Sequence, residues 1–124
     1  MSKAMVIDDS RAIRMILTNT LEELGYEVCQ AANGKEALTV VEREKGSISL
    51  FLVDWNMPEM NGLEFVKRLR SDSRFSEVPL MMVTTETEIH QMTAALEAGA
   101  NEYVMKPFTK QIIADKLRLL GVIQ

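Results

Sequence analysis

Four short segments of the chain carry side chains that could bind a metal ion and a phosphoryl group. The acidic pair Asp8 and Asp9, the single Asp54, Thr84 and Lys106 each end or follow a short apolar run. If these runs are parallel strands, their carboxyl ends meet at one edge of a sheet, where ligands bind in open α/β folds. Three carboxylates against one ammonium leave an excess of negative charge, which is costly without a counter-ion. Oxygen ligands favour a hard divalent cation such as Mg²⁺.

A site of this composition would bind phosphoryl oxygens. The metal would take one oxygen, the Lys106 ammonium a second, and the Thr84 hydroxyl or backbone N–H a third. An aspartate among them can act as a nucleophile and form an aspartyl phosphate. Asp54 is the best candidate because its strand is expected in the middle of the sheet, which leaves Asp8 and Asp9 to hold the metal. One aspartate alone would more often be a turn or cap residue, so the prediction depends on the combination.

The elements that must position these residues alternate along the chain. Short apolar runs predict strands over residues 4–7, 26–31, 48–53, 80–84 and 101–105. Apolar residues at helical spacing predict helices over 10–24, 34 to about 45, 62 to about 70, about 88–98 and about 109–120. Five strands that alternate with five helices predict βαβ units, and right-handed crossovers place helices on both faces of a parallel sheet. The fold class is therefore α/β.

Composition limits the classes of protein to which the chain can belong. A length of 124 residues with 47% apolar content favours one domain with a true core. A net charge of −4 disfavours nucleic acid and anionic membrane surfaces as partners. The single Cys29 and single His90 exclude an internal disulfide and a Cys/His zinc site. The absence of a long apolar run or a signal-peptide core predicts a cytoplasmic protein.

Four motifs together resemble one known family. They are Val-Ile-Asp-Asp-Ser at 6–10, Val-Asp-Trp-Asn-Met-Pro-Glu-Met-Asn-Gly at 53–62, Met-Val-Thr at 82–84 and Tyr-Val-Met-Lys-Pro-Phe at 103–108. The chain resembles the receiver domains of two-component response regulators from Ala4 to about Gly121, and most of all the single-domain chemotaxis response regulators. The resemblance implies one receiver domain over residues 1–124. It also implies a doubly wound, flavodoxin-like sheet of five parallel strands in the order 2-1-3-4-5.

The resemblance also implies a role for each site residue. Asp54 would accept a phosphoryl group from the phosphohistidine of a histidine kinase, with Mg²⁺, or Mn²⁺ as a substitute, as cofactor. The backbone carbonyl of Asn56 would complete the metal coordination. Lys106-Pro107 matches the site of a cis peptide bond in the family. Asp8 and Asp9 match the acidic pair that would hold the metal together with Asp54. Thr84 and Lys106 match the switch residues that contact the phosphoryl group.

Further positions would control switching and the lifetime of the phosphoryl group. Tyr103 matches the aromatic switch residue, which would rotate inward when Thr84 is drawn to the phosphoryl group. Asn56 and Glu86 occupy positions that tune dephosphorylation in the family, and polar residues there predict a lifetime of seconds to minutes. Thr85 departs from the family, which usually has Ala or Gly at this position. Its β-branched side chain would narrow access to the phosphoryl group and oppose fast turnover.

Such a chain would be a signalling switch, not an enzyme, and would catalyse only its own phosphorylation and dephosphorylation. Its output would be protein–protein contact through the face formed by the fourth helix, the fifth strand and the last helix, with no output domain. The implied partners are a histidine kinase, a flagellar motor switch protein or another downstream protein, and a phosphatase that docks near Asn56. The resemblance favours a monomer.

Three other interpretations remain open from the sequence. A phosphotransfer intermediate, or phosphate sink, of another two-component pathway would carry the same site. A Mg²⁺-dependent phosphohydrolase with an Asp nucleophile would instead carry an Asp-x-Asp motif on the first strand, where this chain has Asp8 and Asp9 side by side. A scaffold that works without phosphorylation would usually have lost an acidic residue, Thr84 or Lys106.

Overall fold

The computed structural model describes residues 2–44, 46–85 and 89–123. Strands and helices alternate along these residues, as the sequence predicts. The strands are β1 (Lys3–Ile7), β2 (Glu27–Ala31), β3 (Ile48–Val53), β4 (Leu80–Thr84) and β5 (Glu102–Met105). The helices are α1 (Arg11–Glu23), α2 (Gly34–Arg43), α3 (Gly62–Arg70), α4 (Ile89–Ala98) and α5 (Lys110–Leu119), with a short 3₁₀ helix at Ser73–Phe75.

All strand pairs are parallel, and the order of the sheet is β2-β1-β3-β4-β5. This result confirms the predicted α/β class and strand order. β3 lies in the middle of the sheet, between β1 and β4, as was expected for the strand that leads to Asp54. The 3₁₀ helix was not predicted. The predicted end of the second helix at Lys45 and start of the fourth at Glu88 lie outside the described residues.

Local sequence signals set the helix ends. A polar side chain accepts a hydrogen bond from the backbone N–H three residues later at the start of four helices, which satisfies a donor that the helix itself leaves unpaired. These cap residues are Ser10, Asn33, Asn61 and Thr109. Among the described residues, no helix has the length and apolar character needed to cross a membrane.

The sheet separates two apolar clusters, one on each face. Successive β3 side chains alternate between them: Leu50 and Leu52 belong to the cluster that includes residues of α1 and α5, and Phe51 and Val53 to the cluster on the other face. Such alternation follows from the two-residue side-chain period of a strand. Phe51 anchors its cluster, with its ring centroid 5.7 Å from that of Phe75. β3 is thus held from both faces.

Arg70, the last residue of α3, joins several parts of the chain. Its Nε and Nη2 donate hydrogen bonds to the carbonyl oxygen of Gly99, at 3.1 and 2.9 Å, and its Nη1 donates to the carbonyl of Phe75. Nη2 also donates to Oδ1 of Asn101 at 3.0 Å, and this oxygen accepts from the N–H of Leu80 at 2.9 Å. One guanidinium therefore ties the end of α3 to the 3₁₀ helix and the end of α4.

Candidate functional site

The predicted site residues converge at the carboxyl edge of the sheet. Asp8 directly follows β1, Asp54 directly follows β3, Thr84 ends β4 and Lys106 directly follows β5. Because all strands are parallel, these four positions meet at one edge. Three of these side chains are almost completely shielded from solvent: Asp8 is 1%, Asp54 5% and Thr84 0% exposed. Asp9, by contrast, is exposed.

Three carboxylates form a group that fits a hard cation. One oxygen each of Asp8, Asp9 and Asp54 lies within 4.8 Å of the others. Asp8 and Asp54 are buried, whereas Asp9 is exposed to solvent. An ion could therefore reach the group from the side of Asp9. Carboxylate oxygens are the ligands that Mg²⁺ prefers, and it usually keeps several waters as well. The donor chemistry and the open side both suit such an ion.

The Lys106 ammonium lies between two of these carboxylates. Its Nζ is 2.6 Å from Oδ2 of Asp8 and 3.5 Å from Oδ2 of Asp54. Both ion pairs are largely shielded from water, where Coulomb interactions are stronger than at the surface. A single positive charge is shared by an acidic group of three, so part of the negative charge stays uncompensated by Lys106.

The Asp54 carboxyl has a raised pKa. Burial is the largest cause, since it disfavours the charged form, and the neighbouring Asp8 carboxylate adds to it. The Lys106 charge and hydrogen bonds from Thr84 and Lys106 act in the opposite direction and do not fully cancel the increase. The surroundings of Asp54 therefore disfavour its ionised form relative to its neutral form. A bound cation would favour the ionised form.

Asp8 is held at several atoms. Its Oδ1 accepts a hydrogen bond from the N–H of Ser10 at 2.9 Å, and its own N–H donates to the carbonyl of Ala31 at 3.1 Å. Its carbonyl oxygen accepts from Nη1 of Arg14 at 2.7 Å, and Nε of Arg14 donates to Oε1 of Gln30 at 3.1 Å. Sequence reasoning missed Arg14; the available signal was an arginine on the first turns of the helix that follows the acidic pair.

A tight loop carries the chain from Asp54 to α3. The N–H of Met60 donates to the carbonyl of Pro58 at 2.7 Å, and the residue between them, Glu59, has a φ of 67°. The N–H of Gly62 donates to the carbonyl of Trp55 at 2.8 Å and closes the loop. A side chain on Gly62 would collide with the backbone carbonyl of Asp54. The sequence predicts only that a helix begins at Gly62, and it does not predict this close approach to Asp54.

The loop also forms one wall of an open cavity beside the acidic group. Asn56 is exposed and lines this cavity together with Asp9 and Trp55. Asn56, which is predicted both to bind the metal through its carbonyl and to tune dephosphorylation, therefore shares this cavity with Asp9. The complete lining is Asp9, Trp55, Asn56, Met57, Pro58 and Asn61.

The structure describes most of the remaining predicted residues. Thr85 is exposed directly after Thr84, whereas Glu86 lies outside the described residues. Tyr103 is only 7% exposed and belongs to the apolar cluster that contains Phe51. The inward rotation predicted for Tyr103 would therefore start from a ring that is already largely buried. The Lys106–Pro107 peptide bond is cis, as the resemblance implied.

Comparison with known proteins places the chain in a family. A family model described as "Response regulator receiver domain" matches residues 4–118. Among curated proteins, "Chemotaxis protein CheY1" of Helicobacter pylori is 47% identical over 119 residues, which are 95% of both chains. "Chemotaxis protein CheY homolog" of Campylobacter jejuni is 43% identical over 116 residues, covering 93% of this chain and 88% of the relative.

Solved structures give the same result. The chemotaxis protein CheY4 of Vibrio cholerae matches with a TM-score of 0.88 and 37% identity, over 96% of this chain and 98% of that one. A CheY-like receiver domain protein of Methanospirillum hungatei matches with a TM-score of 0.87 and 29% identity, over 97% and 93%. The similarity in sequence and in fold has one explanation: the chain belongs to the response regulator receiver domains, the phosphorylation-activated switches of two-component signalling.

Proposed function

We propose that Asp54 is the phosphoacceptor of this receiver domain, in a reaction that depends on Mg²⁺. The observation that carries the proposal is the grouping of Asp54 with Asp8, Asp9 and Lys106 at the end of the central strand. Only here among the described residues do three metal-ligating side chains come together in this way. Mn²⁺, which also accepts oxygen ligands, would substitute for Mg²⁺.

Each residue has a defined part in the transfer. An oxygen of the Asp54 carboxylate attacks the phosphorus atom, a P–O bond forms, and the P–N bond of the donor phosphohistidine breaks with its electron pair returning to the imidazole. Lys106 would neutralise the charge of the transferred oxygens, and Thr84 would donate a hydrogen bond to one of them. The cation would be held by the carboxylates of Asp8, Asp9 and Asp54 and by the Asn56 carbonyl, and it would supply positive charge to the phosphoryl oxygens. The chain thus catalyses only its own phosphorylation and dephosphorylation.

The signal would leave through the face formed by α4, β5 and α5. Thr84, at the end of β4, is drawn towards the new phosphoryl group, and Tyr103, on the neighbouring strand, adjusts to the vacated space. Met105 on β5 and Ile112 on α5 are exposed apolar side chains of this face, which supports its use in protein contact. Phosphorylation would therefore bias a two-state surface.

The names of the relatives favour chemotaxis as the pathway. The Helicobacter relative is matched over 95% of its own length, which supports residues 1–124 acting as one receiver domain. The partners would be a chemotaxis histidine kinase, the flagellar motor switch, and a phosphatase that approaches near Asn56, with no role for nucleic acid or membrane. A monomer in the cytoplasm suits such a diffusible messenger.

The lifetime of the phosphoryl group would depend on Asn56, Thr85 and Glu86. Asn56 and Glu86 are polar and would orient a water for hydrolysis, so a lifetime of seconds to minutes is expected. Exposed Thr85 adds bulk next to Thr84 and would restrain this attack. A phosphorylated form that persists for hours in Mg²⁺ would contradict the expected short lifetime.

Trp55 fluorescence tests the proposed chemistry, because this single tryptophan adjoins Asp54. Mg²⁺ and then acetyl phosphate are added to the wild-type chain and to Asp54→Asn, and the mass of each is recorded. We expect a Mg²⁺-dependent response to acetyl phosphate, with the mass gain of one phosphoryl group, in the wild type alone. An equal response in both chains would exclude Asp54. Transfer onward to a phosphotransferase histidine, with no motor-switch binding, would favour the phosphotransfer intermediate.

A further inference from the structure

The Arg14 side chain reaches back from α1 to the acidic pair that follows β1. Its Nη1 donates a hydrogen bond to the Asp8 carbonyl at 2.7 Å, and its Nε donates to Oε1 of Gln30 at 3.1 Å. Gln30 lies on β2 opposite Val6 of β1. The guanidinium therefore bridges the end of β1 and the neighbouring edge strand, and its planar fork fixes the direction of both bonds.

The carbonyl that Arg14 holds belongs to the peptide unit between Asp8 and Asp9. A peptide unit is planar, so fixing its oxygen fixes the orientation of the whole unit. The Asp8 carboxylate is already held by Ser10 and Lys106. Asp9 is exposed, so surrounding side chains do not pack it into place. Its carboxylate position depends on the backbone that leads to it.

We propose that Arg14 is a positioning residue that orients the Asp8–Asp9 peptide unit so that both carboxylates can bind the divalent cation together. The inference rests on the metal site proposed above. It assigns to Arg14 no contact with the cation, and none with the phosphoryl group. The hydrogen bond that carries it is charge-assisted, and such bonds are shorter and stronger than neutral ones.

Removal of the Arg14 side chain should change the Mg²⁺ affinity in opposite directions, depending on whether Arg14 acts through its charge or by positioning the backbone. A positive side chain near a cation site repels the cation, so its removal on electrostatic grounds alone would tighten Mg²⁺ binding. If Arg14 acts by positioning, its removal weakens binding instead. Loss of supporting hydrogen bonds around a metal site typically costs tenfold or more in affinity. Because Mg²⁺ ligands are water-bridged in part, we expect an increase in Kd of about three- to tenfold.

The experiment is a Mg²⁺ titration, without any phosphodonor, followed by Trp55 fluorescence in the wild type, Arg14→Ala, Arg14→Lys and Arg11→Ala. Arg11 is exposed one turn earlier on the same helix and is the matched control for charge. We expect a raised Kd for Arg14→Ala and a partial recovery for Arg14→Lys, which keeps one donor to the carbonyl. Arg11→Ala is expected to leave Kd unchanged or slightly lower.

A Kd for Arg14→Ala equal to or below the wild-type value would overturn the inference. A wild-type chain that shows no saturable Mg²⁺ response would instead overturn the proposed metal site, and the inference with it. If Arg14→Ala fails to fold in a urea titration, Gln30→Ala replaces it. Gln30 is exposed, and its loss removes only the second anchor of Arg14. A smaller rise in Kd is then expected, and an unchanged Kd counts against the inference.

Discussion

Gly62 lies so close to the backbone carbonyl of Asp54 that no side chain fits between them. The close approach is part of the loop that begins at Asp54 and ends at the first residue of α3. The backbone of Asp54 is therefore positioned by two elements: β3, which precedes it, and the first residue of α3, which lies against its carbonyl.

Replacement of Gly62 by Ala should destabilise the fold by about 3 kcal/mol, because a Cβ would force the Asp54 backbone to move. Helix propensity alone predicts the opposite sign, a gain of about 1 kcal/mol. Urea unfolding measures the difference. Gly25→Ala is the control: its φ of 98° makes Ala unfavourable by about 1–2 kcal/mol, but its Cβ would touch nothing. Weakened Mg²⁺ binding is expected in Gly62→Ala only, and unchanged stability there would contradict the argument.

The pH dependence of stability should reveal the raised pKa of Asp54. A raised pKa means that the folded chain holds this proton more tightly than the unfolded chain does. The contribution of Asp54 to stability is therefore complete below its unfolded pKa of about 4, and is lost as pH rises through the higher folded pKa. In metal-free buffer, the stability of Asp54→Asn relative to the wild type should increase as pH rises above the unfolded pKa of about 4.

Urea unfolding with a chelator present, at a series of pH values, checks this prediction. Mg²⁺ should restore stability to the wild type at neutral pH and do little for Asp54→Asn, which has lost a ligand. Stability curves of the two chains that stay parallel across the pH range would show that the pKa of Asp54 is not raised in the folded chain.

Substitution of Thr85 by Ala should speed both phosphorylation by acetyl phosphate and loss of the phosphoryl group. Thr85 is exposed directly beside Thr84, so its removal opens a path to Asp54 without disturbing the core. Surface changes of this kind shift stability by no more than about 0.5 kcal/mol. Stopped-flow Trp55 fluorescence gives both rates, and Thr85→Val keeps the bulk as a control. If Thr85→Ala and Thr85→Val behave alike, bulk at this position does not limit access.

Loss of Arg70 should destabilise the fold without changing the site. Its four hydrogen bonds reach Gly99, Phe75 and Asn101, and truncation would leave their oxygens short of donors. We expect Arg70→Ala to lower the free energy of unfolding by about 2–4 kcal/mol. Exposed Arg68 supplies the control, since Arg68→Ala should change it by less than about 0.5 kcal/mol. An equal effect of both substitutions would mean that the bonds of Arg70 contribute little.

Most of the site could be predicted because ligands bind at the carboxyl ends of the strands in open α/β folds. Asp8, Asp54, Thr84 and Lys106 each stand where an apolar run stops, and parallel strands must bring such positions to one edge. β3 could be placed centrally because the resemblance implied the strand order 2-1-3-4-5, and its almost entirely apolar run suits a strand covered on both faces.

Other contacts left no comparable pattern in the sequence. The hydrogen bond of Arg14 to Asp8 depends on the angle at which α1 leaves β1, which no periodicity encodes. The close approach of Gly62 to Asp54 depends on the path of the intervening loop. The burial of Tyr103 is set by neighbours on other elements. A buried and a half-buried aromatic residue on an edge strand give the same sequence pattern, so the sequence does not distinguish them.

The ion pair between Lys106 and Asp8 has a consequence for how the protein folds. It joins residues separated by 98 positions, across the two strands that lie between β1 and β5. Contacts of such long range form slowly, because the entropy of closing the chain must be overcome before they contribute. In a partly folded chain whose β5 has not yet joined the sheet, the carboxylates of Asp8 and Asp54 would lack the Lys106 ammonium as a partner. An ion that binds only the finished site therefore stabilises the whole sheet, and not merely the loops that touch it.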